Sequence, residues 1–331
     1  MRRPTLEAVA ARAGVSRSTV SRVVNGQPTV TPDIRDVVMR AVDELGYVPN
    51  GAARNLVTQR TDSVALVVSE SPNRLLSDDP TFATVIRAAS LELEAAGRQA
   101  VLLLTGSSDS HARVEKYIAG GYVDGVMLVS SHGADLLPVA LTRLRVPAVS
   151  YGRPTVPVAM PYVDNDNVSG AADAVRHLLE RGRRRIATIA GPLDTIGGQD
   201  RLTGYRDVLR DSDRRSIVAV GDFTRESGAV AMRQLLADDP DLDAVFAAND
   251  LMAIGAMRAL RLAGRRIPDD VAVVGYDDIE AAGYTDPPLT TVHSPHAEQA
   301  AATVRLLLNL FEEGRADSVI MPTKLVVRHS S

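Results

Sequence analysis

Residues 5–26 read TLEAVAARAGVSRSTVSRVVNG. Two short amphipathic helices fit on either side of AGVS, where Gly14 can take the positive φ of a sharp turn, Val15 can fill the space between the helices, and Ser16 can cap the second. A wheel at about 100° per residue sends Thr19, Val20, Val23 and Val24 to one arc and Arg17, Ser18, Ser21 and Arg22 to the opposite one. One face packs and the other carries donors. The spacing predicts a helix-turn-helix whose outward face suits DNA, because Arg pairs bidentately with guanine and small hydroxyl residues let a helix approach closely and bond phosphates. The alternative is a solvated face on a structural helical hairpin.

The charge distribution favours DNA. The net charge of -4 divides unevenly: residues 1–60 hold nine Arg against five Asp and Glu, net +4, leaving -8 for the rest. A basic head on an acidic body points to a polyanionic partner. Lys occurs only at 116 and 324, so Arg supplies the positive charge, as expected from a biased genome composition.

A third helix follows in TPDIRDVVMRAVDELGY, with Thr31 as N-cap, Pro32 at the first helical position, Asp33 in the first turn and Gly46 at the end. Ile34, Val37, Val38, Ala41, Val42 and Leu45 keep helical spacing. Next comes PNGAARNLVTQRT, residues 49–61. Asn50 can cap it and Ala52, Ala53, Arg54 and Leu56 favour helix, yet it offers at most about two turns, and isolated helices shorter than roughly 12 to 15 residues are marginal in water.

From Val64 onward, apolar runs alternate with helical patterns: VALVVS, AVLLLT, GVMLVS, PAVSYG, RIATIAG, IVAVGD, AVFAAN and VAVVGYDD. Near-continuous apolar strands separated by helices of about ten or more residues signal parallel sheets covered on both faces. The body is therefore read as α/β, and 331 residues at 45% hydrophobic and 24% charged allow two or three compact units. The absence of cysteine removes disulfides, thiol catalysis and cysteine metal sites. Met1-Arg2-Arg3-Pro4 leads into an amphipathic helix, and no stretch approaches the roughly 18 apolar residues of a membrane span. Neither signal peptide nor membrane contact is expected, and the expected location is the cytoplasm.

The stretches TLEAVAARAGVSRSTVSRVVNG, TPDIRDVVMRAVDELGYVPN, VGYDD and PPLTTV resemble the lactose/galactose repressor (LacI/GalR) family of bacterial transcription regulators, along essentially the whole chain. The resemblance implies an all-α helix-turn-helix headpiece over residues 1–48, a hinge helix or linker over 49–60, and a periplasmic-binding-protein-like type I α/β body of two parallel-sheet lobes over 61–331. The first lobe would comprise about 61–161 and 292–321, the second about 162–291 and 322–331. It also implies base reading by Arg17, Ser18 and Arg22, with Thr5, Ser16, Thr19, Ser21, Asn25, Tyr47 and Asn50 at phosphate-contact or hinge positions.

In such a body the ligand lies between the lobes, at the carboxyl ends of strands. Arg201, in GGQDRLTGYRD, is either a solvated helix residue paired with Asp200 or, as the resemblance implies, a donor to ligand hydroxyls. Asn249 is expected to meet the ligand and Asp250 to cap the following helix. The Asp277–Asp278 pair admits catalytic, metal-binding or sugar-hydroxyl roles; the resemblance selects the last, with Asp277 facing the cleft. Phe223 is either core or a platform for a sugar ring. Phe82, Arg153, Asp164, Ser69 and Glu70 complete the candidates.

An enzyme is not expected. The six His are scattered, HExxH, GxSxG and GxxxxGK[ST] are missing, and GPLDTIGGQD lacks the lysine and spacing of a phosphate loop. Arg183, Arg184 and Arg185 read as a solvated edge, and nothing calls for a metal or cofactor. The expected function is a repressor that binds a pseudo-palindromic operator as a homodimer under allosteric control by a sugar. A homodimer is expected because KLVVRHSS lacks the leucine-heptad helix that joins some family members into tetramers. A transport solute-binding protein is the alternative, and a sugar hydrolase the third reading. RTDSVALVVSE and AGPLDTIGGQDRLTGYRDVLRD resemble members that regulate the use of cellobiose and other oligosaccharides, which points to a mono- or disaccharide such as a β-glucoside; a phosphorylated sugar or a nucleoside is the other option.

The weak helix gains a purpose on this reading. As a hinge helix it would place Ala53 and Leu56 at the minor groove, Leu56 as an apolar wedge, and would order only beside its dimer mate on DNA. A small lobe motion could then tip the balance. Leu56→Ala is expected to weaken operator binding while leaving effector affinity largely intact, as measured by operator and sugar titrations of the same preparation.

Overall fold

In a computed structural model, residues 4–25, 27, 29–48, 60–70, 79–106, 108–130, 132, 133 and 135–331 are described. They divide into two units, Met1–Thr61 and Asp62–Ser331. The expected hinge helix, with Asn50, Ala53 and Leu56, lies outside the described residues.

The first unit holds α1 (Leu6–Ala13), α2 (Arg17–Val24) and α3 (Pro32–Leu45). Thr5 caps α1 by accepting from the Ala8 N–H at 3.3 Å, and Ser16 caps α2 by accepting from Thr19 N–H at 3.1 Å. Between them Gly14 sits at φ 67°, the left-handed conformation that the turn requires. Val9, Ala10, Val20, Val23, Val38, Ala41 and Tyr47 form the core, with Val15 packed at its margin as expected. Thr31 precedes α3 but its side chain makes no capping bond; Pro32, whose φ is already helical, opens this helix instead.

The second unit is built on two six-stranded sheets. The first has β1 (Ser63–Ser69), β2 (Gln99–Thr105), β3 (Gly125–Val129), β4 (Ala148–Tyr151), β5 (Tyr162–Asn165) and β11 (Val319–Met321) in the order β11-β5-β4-β3-β1-β2, all parallel. The second has β6 (Ile186–Ala190), β7 (Ile217–Val220), β8 (Ala244–Ala247), β9 (Ala272–Asp277), β10 (Thr290–His293) and β12 (Lys324–Val326) in the order β12-β10-β9-β8-β6-β7, with only β12 antiparallel.

Helices cover both faces of each sheet. In the first lobe these are α4 (Pro80–Ala95), α5 (Ser108–Ala119), α6 (Leu137–Leu144) and α12 (His296–Glu313). Along β1, Val64, Leu66 and Val68 pack with α4 and α12, while Ala65 and Val67 pack with α5 and α6. In the second lobe, α7 (Asn167–Glu180) and α8 (Ile196–Asp211) cover one face, and α9 (Arg225–Asp238) and α10 (Asp250–Leu262) the other, with the single-turn α11 (Glu280–Gly283) between β9 and β10. Ala244 and Phe246 of β8 point to the first pair, Val245 and Ala247 to the second. A strand buried on both faces shows no polar alternation, which is why these segments read as unbroken apolar runs.

Strand pairing moves the expected lobe boundaries. β5 was assigned by sequence to the second lobe, but it pairs with β4 and β11 in the first. β10 lies wholly in the second sheet, although the expected boundary at 291/292 cuts it. The chain thus passes between lobes after Asn165, after His293, and between β11 and β12. Which sheet a short strand joins is settled by its backbone partners, and a four-residue segment such as YVDN carries no local sign of them.

The contact between α9 and α10 depends on two glycines. A Cβ on Gly228 would collide with the Met252 carbonyl, and one on Gly255 with the Arg225 carbonyl. Both obstacles are backbone, so neither helix can yield without moving bodily. Gly255→Ala is therefore expected to destabilise the fold by about 1–3 kcal/mol, despite the helix propensity of alanine, as read from the urea midpoint. An unchanged or raised midpoint would contradict this close packing.

Candidate functional site

In α2, Arg17, Ser18 and Arg22 are exposed, as is Asn25 just beyond it. Arg17 Nε lies 3.0 Å from Glu7, both side chains being well exposed, whereas Arg22 has no ionic partner among the described residues. Ser16 Oγ lies 2.8 Å from both Ser18 Oγ and Thr19 Oγ1, so the hydroxyls at the start of the helix form one cluster. Asn25 Nδ2 donates to Ser21 Oγ at 3.3 Å. Tyr47, with 8% of its surface exposed, packs its ring in the headpiece core. Its main-chain N–H bonds Val42 C=O, which folds the ring back over the helices.

The second candidate site lies between the lobes. A cavity of about 180 Å³ is lined by Phe82 of α4, Arg153 beyond β4, Asp164 of β5, Arg201 of α8 and Phe223 beyond β7, five residues singled out by sequence. Tyr151, Asn165, Asn167, His296 and Gln299 join them. Within each sheet the strands that supply these groups run parallel, so their carboxyl ends gather on one edge of that sheet, at the cleft.

Arg201 organises the floor. It is 8% exposed, and its Nε donates to Asn167 Oδ1 at 3.0 Å, while Nη1 donates to the Ala248 carbonyl at 2.6 Å and lies 3.1 Å from Asp277 Oδ1. The guanidinium carbon sits 3.7 Å from the centroid of the Tyr276 ring. Nη2 takes none of these bonds, which leaves its N–H groups available to a hydroxyl. The pairing with Asp200 weighed from sequence is not formed; Asp200 instead binds Arg153 across the lobes, Nη2 donating at 2.9 and 2.7 Å to its two oxygens.

Asp277 lies behind the lining. Its Oδ1 meets Arg201 and, at 3.4 Å, His296 Nε2. Tyr151 O–H lies 2.7 Å from His296 Nδ1; a donating hydroxyl there puts the imidazole proton on Nε2, towards Asp277. Burial pushes the Asp277 carboxyl up, but the Arg201 charge and His296 outweigh it and hold it below the usual carboxylate range. Asp278 faces away: Arg328 Nη2 donates to it at 2.6 Å and His293 Nδ1 lies at 3.2 Å. The two carboxylates therefore do not act as a pair.

Asn249 takes the capping role expected of Asp250, and Asp250 takes a buried structural one. Asn249 is the N-cap of α10, its Oδ1 accepting from Met252 N–H at 2.9 Å, and its Nδ2 donates to the Phe223 carbonyl at 3.0 Å. Both ends of the amide are thus occupied by the protein, and its contribution to the cleft is to hold the Phe223 turn, where φ is 68°. Asp250, fully buried, accepts from Ile279 N–H at 2.9 Å and Thr291 O–H at 2.6 Å, and burial holds its carboxyl well above the usual range. Either residue could cap in sequence; only the position of β9 and β10 decides which one does.

Asp164 accepts from the Asn165 N–H at 2.8 Å and the Arg153 N–H at 3.2 Å, yet burial still raises its carboxyl above the ordinary value. Phe223 presses its ring against Gly191, where a Cβ would overlap it. Ser69 is not at this cavity; its hydroxyl donates to Asp135 at 3.2 Å in a neighbouring one. Asn165 was not foreseen. It is 6% exposed, spends its amide N–H groups on Ser294 at 2.7 Å and Gln299 at 2.8 Å, and keeps an Oδ1 with no hydrogen-bond partner among the described residues. Such an acceptor is costly unless a ligand donor meets it. The signal in sequence was VDNDN, polar residues ending a strand at the lobe crossing.

Two guanidiniums already paired with Asp200 and Asp277, a carboxylate, amides and the rings of Phe82, Tyr151 and Phe223 around one small cavity match a neutral polyol better than a charged ligand. Among the described residues no cluster of His, Asp and Glu has metal-holding geometry, and no helix is long and apolar enough to cross a membrane.

Residues 5–50 match the family model of bacterial regulatory proteins, lacI family, and residues 175–331 that of a periplasmic binding protein-like domain. The HTH-type transcriptional regulator CelR of Thermobifida fusca is 49% identical over 99% of this chain and 98% of the relative. A solved structure of a transcriptional regulator CelR–cellobiose complex is 46% identical, covers 99% of this chain and 100% of its own, and superimposes with a TM-score of 0.78. The lac repressor dimer bound to operator and the anti-inducer ONPF is 28% identical over 99% of each chain, with a TM-score of 0.88.

Removing Asp277 would leave the Arg201 charge buried without its anion. Asp277→Ala is expected to cost about 3–5 kcal/mol in chemical denaturation near neutral pH. Because the folded-state pKa of Asp277 is depressed, its stabilising contribution is present above the unfolded-state pKa and is lost as pH falls through the folded-state one. The gap between variant and parent should therefore narrow on acidification.

Proposed function

The chain belongs to the lacI family of bacterial regulatory proteins, and we propose that its effector is a neutral β-linked glucose disaccharide of the cellobiose class, held in the cleft between the lobes. The protein is a DNA-binding transcriptional repressor, not an enzyme, and a sugar controls its affinity for operator DNA. It is homodimeric. On our reading the operator is pseudo-palindromic, since a two-fold dimer presents two copies of α2 in mirrored half-sites, and the protein works in the cytoplasm.

The observation that supports the effector assignment is the Arg201 floor with Phe223 above it, in a chain so close to a regulator solved with cellobiose. Arg201 Nη2 donates to ring hydroxyls, Asn165 Oδ1 and Asp164 accept from them, and the Phe223 ring covers an apolar sugar face. Because these groups come from both lobes, a bound sugar favours the closed arrangement. Lobe motion then reaches residues 49–60 and sets whether the hinge helix forms on DNA.

The test uses the full chain, DNA from upstream of its own gene, and cellobiose. Specific binding is expected, with operator affinity changed at least about tenfold by saturating cellobiose. Phe223→Ala should weaken cellobiose about tenfold in calorimetry, the loss of one aromatic contact, while sugar-free operator affinity stays unchanged. Operator affinity indifferent to cellobiose would overturn the effector assignment.

A further inference from the structure

Beside the sugar cleft, a cavity of about 890 Å³ opens at the carboxyl ends of β1, β2 and β3. His132 stands in its wall and touches both lobes. Its Nε2 lies 2.8 Å from Oε1 of Glu70, at the end of β1, and its Nδ1 lies 3.1 Å from Oδ2 of Asp194, just before α8 in the second lobe. Beside it the Gly133 N–H donates to the Asp194 carbonyl at 2.7 Å, which fixes the register of the contact. A neutral imidazole carries one N–H and can donate to one carboxylate; an imidazolium donates to both.

We propose that His132 is a positioning residue for the sugar site: its protonated ring clasps Asp194 to Glu70, holds the lobes closed, and so links effector binding to proton uptake. The effector part rests on the cleft being the sugar site, as argued above. Glu70 is 7% exposed and also accepts from Ser130 O–H at 2.9 Å, and Ser130 lines the sugar cleft, so the clasp abuts the site it serves.

Among the described residues, the other charged groups around this cavity are matched among themselves. His111 Nδ1 lies 3.5 Å from Asp135 Oδ1, Asp135 Oδ2 accepts from Ser69, and Arg143 donates to Glu115 at 2.9 Å. Glu70 and Asp194 are therefore the carboxylates that face the ring. The hydrogen bond to Glu70 raises the His132 pKa against the opposing effect of burial, and Asp194 raises it further. Glu70 shares a lobe with His132 and stays beside it when the lobes part, whereas Asp194 leaves. The pKa is thus higher closed than open. Closure takes up a proton between those values, is fully favoured below the open-state pKa, and loses this support as pH rises through the closed-state one. Among the described residues two further ion pairs cross between the lobes: Arg153 with Asp200 keeps its guanidinium charged throughout that window, and His296 with Asp277 is left in place by substitutions at His132 and Asp194, so a slope lost in those variants belongs to the clasp.

The test takes the full-length protein. The His132 imidazole is titrated by NMR, its resonance identified by loss in His132→Gln, in parent and in Asp194→Asn. Cellobiose affinity is then measured by calorimetry at about pH 6 and about pH 8.5, in buffers of differing ionisation enthalpy. In Asp194→Asn the imidazole should titrate at lower pH than in the parent. Parent affinity should fall about threefold from the lower to the higher pH, the size expected of one half-exposed charge pair, with proton uptake on binding. His132→Gln and Asp194→Asn should flatten that slope, and Asp194→Glu should restore it. Identical titration in parent and Asp194→Asn would overturn the clasp, and a pH-independent parent affinity would overturn the linkage. Failure to bind cellobiose at either pH would count against the effector assignment, while the NMR titration would still decide the clasp.

Discussion

A guanidinium buried between sheets must be surrounded by partners, and Arg201 sets that requirement for the whole second lobe. A desolvated cation without an anion costs several kcal/mol, so the ends of three elements are held where they can pay that cost: Asn167 opening α7, Ala248 just past β8 and Asp277 ending β9. The Tyr276 ring beneath the guanidinium completes the enclosure. Asp277 in turn meets His296 of the first lobe, which meets Tyr151, so the same charge reaches across the cleft. The site is the place where the two sheets most need each other.

That arrangement bears on control. Groups from both lobes converge on a small cavity, and separate polar bridges, Arg153 with Asp200 and His132 with Asp194, span the gap beside it. A ligand that adds hydrogen bonds to both walls gains from closure, and so shifts a balance that already exists between protein groups. Asn249 takes part without touching the cavity, by fixing the turn that carries Phe223.

Much of this was legible in the chain. AGVSRSTVSRVV specifies its turn and caps locally: Gly14 takes the left-handed conformation, Ser16 caps α2, and Val20 and Val23 go inward while Arg17 and Arg22 remain outside. Eight apolar runs all became strands of parallel sheets, because strands buried on both faces need little else in their sequence. Four short strands, β5, β10, β11 and β12, were not foreseen as such: β5, β10 and β12 carry polar members that break the apolar run, and β11 is only three residues long. Arg201, Phe223, Phe82, Arg153 and Asp164 were found through the resemblance and do converge on one cavity.

The sequence by itself determined the helix-turn-helix, the α/β lobes with helices on both faces of each sheet and the identity of the residues that could meet a sugar, because each follows from local turn chemistry, hydrophobic period or a matched motif. Only the tertiary structure decided what each polar side chain does. Asn249 and Asp250 are neighbours with similar capping ability, and β9 and β10 settle that the first caps and the second is buried. Tyr47 turns inward because α1, α2 and α3 leave a hollow for its ring. His132, one of six scattered histidines in the chain, bridges Glu70 and Asp194, residues 62 positions away on either side. A polar group bonds whatever partner the fold brings within about 3 Å, and that distance is set by the packing of whole elements, which no local pattern encodes.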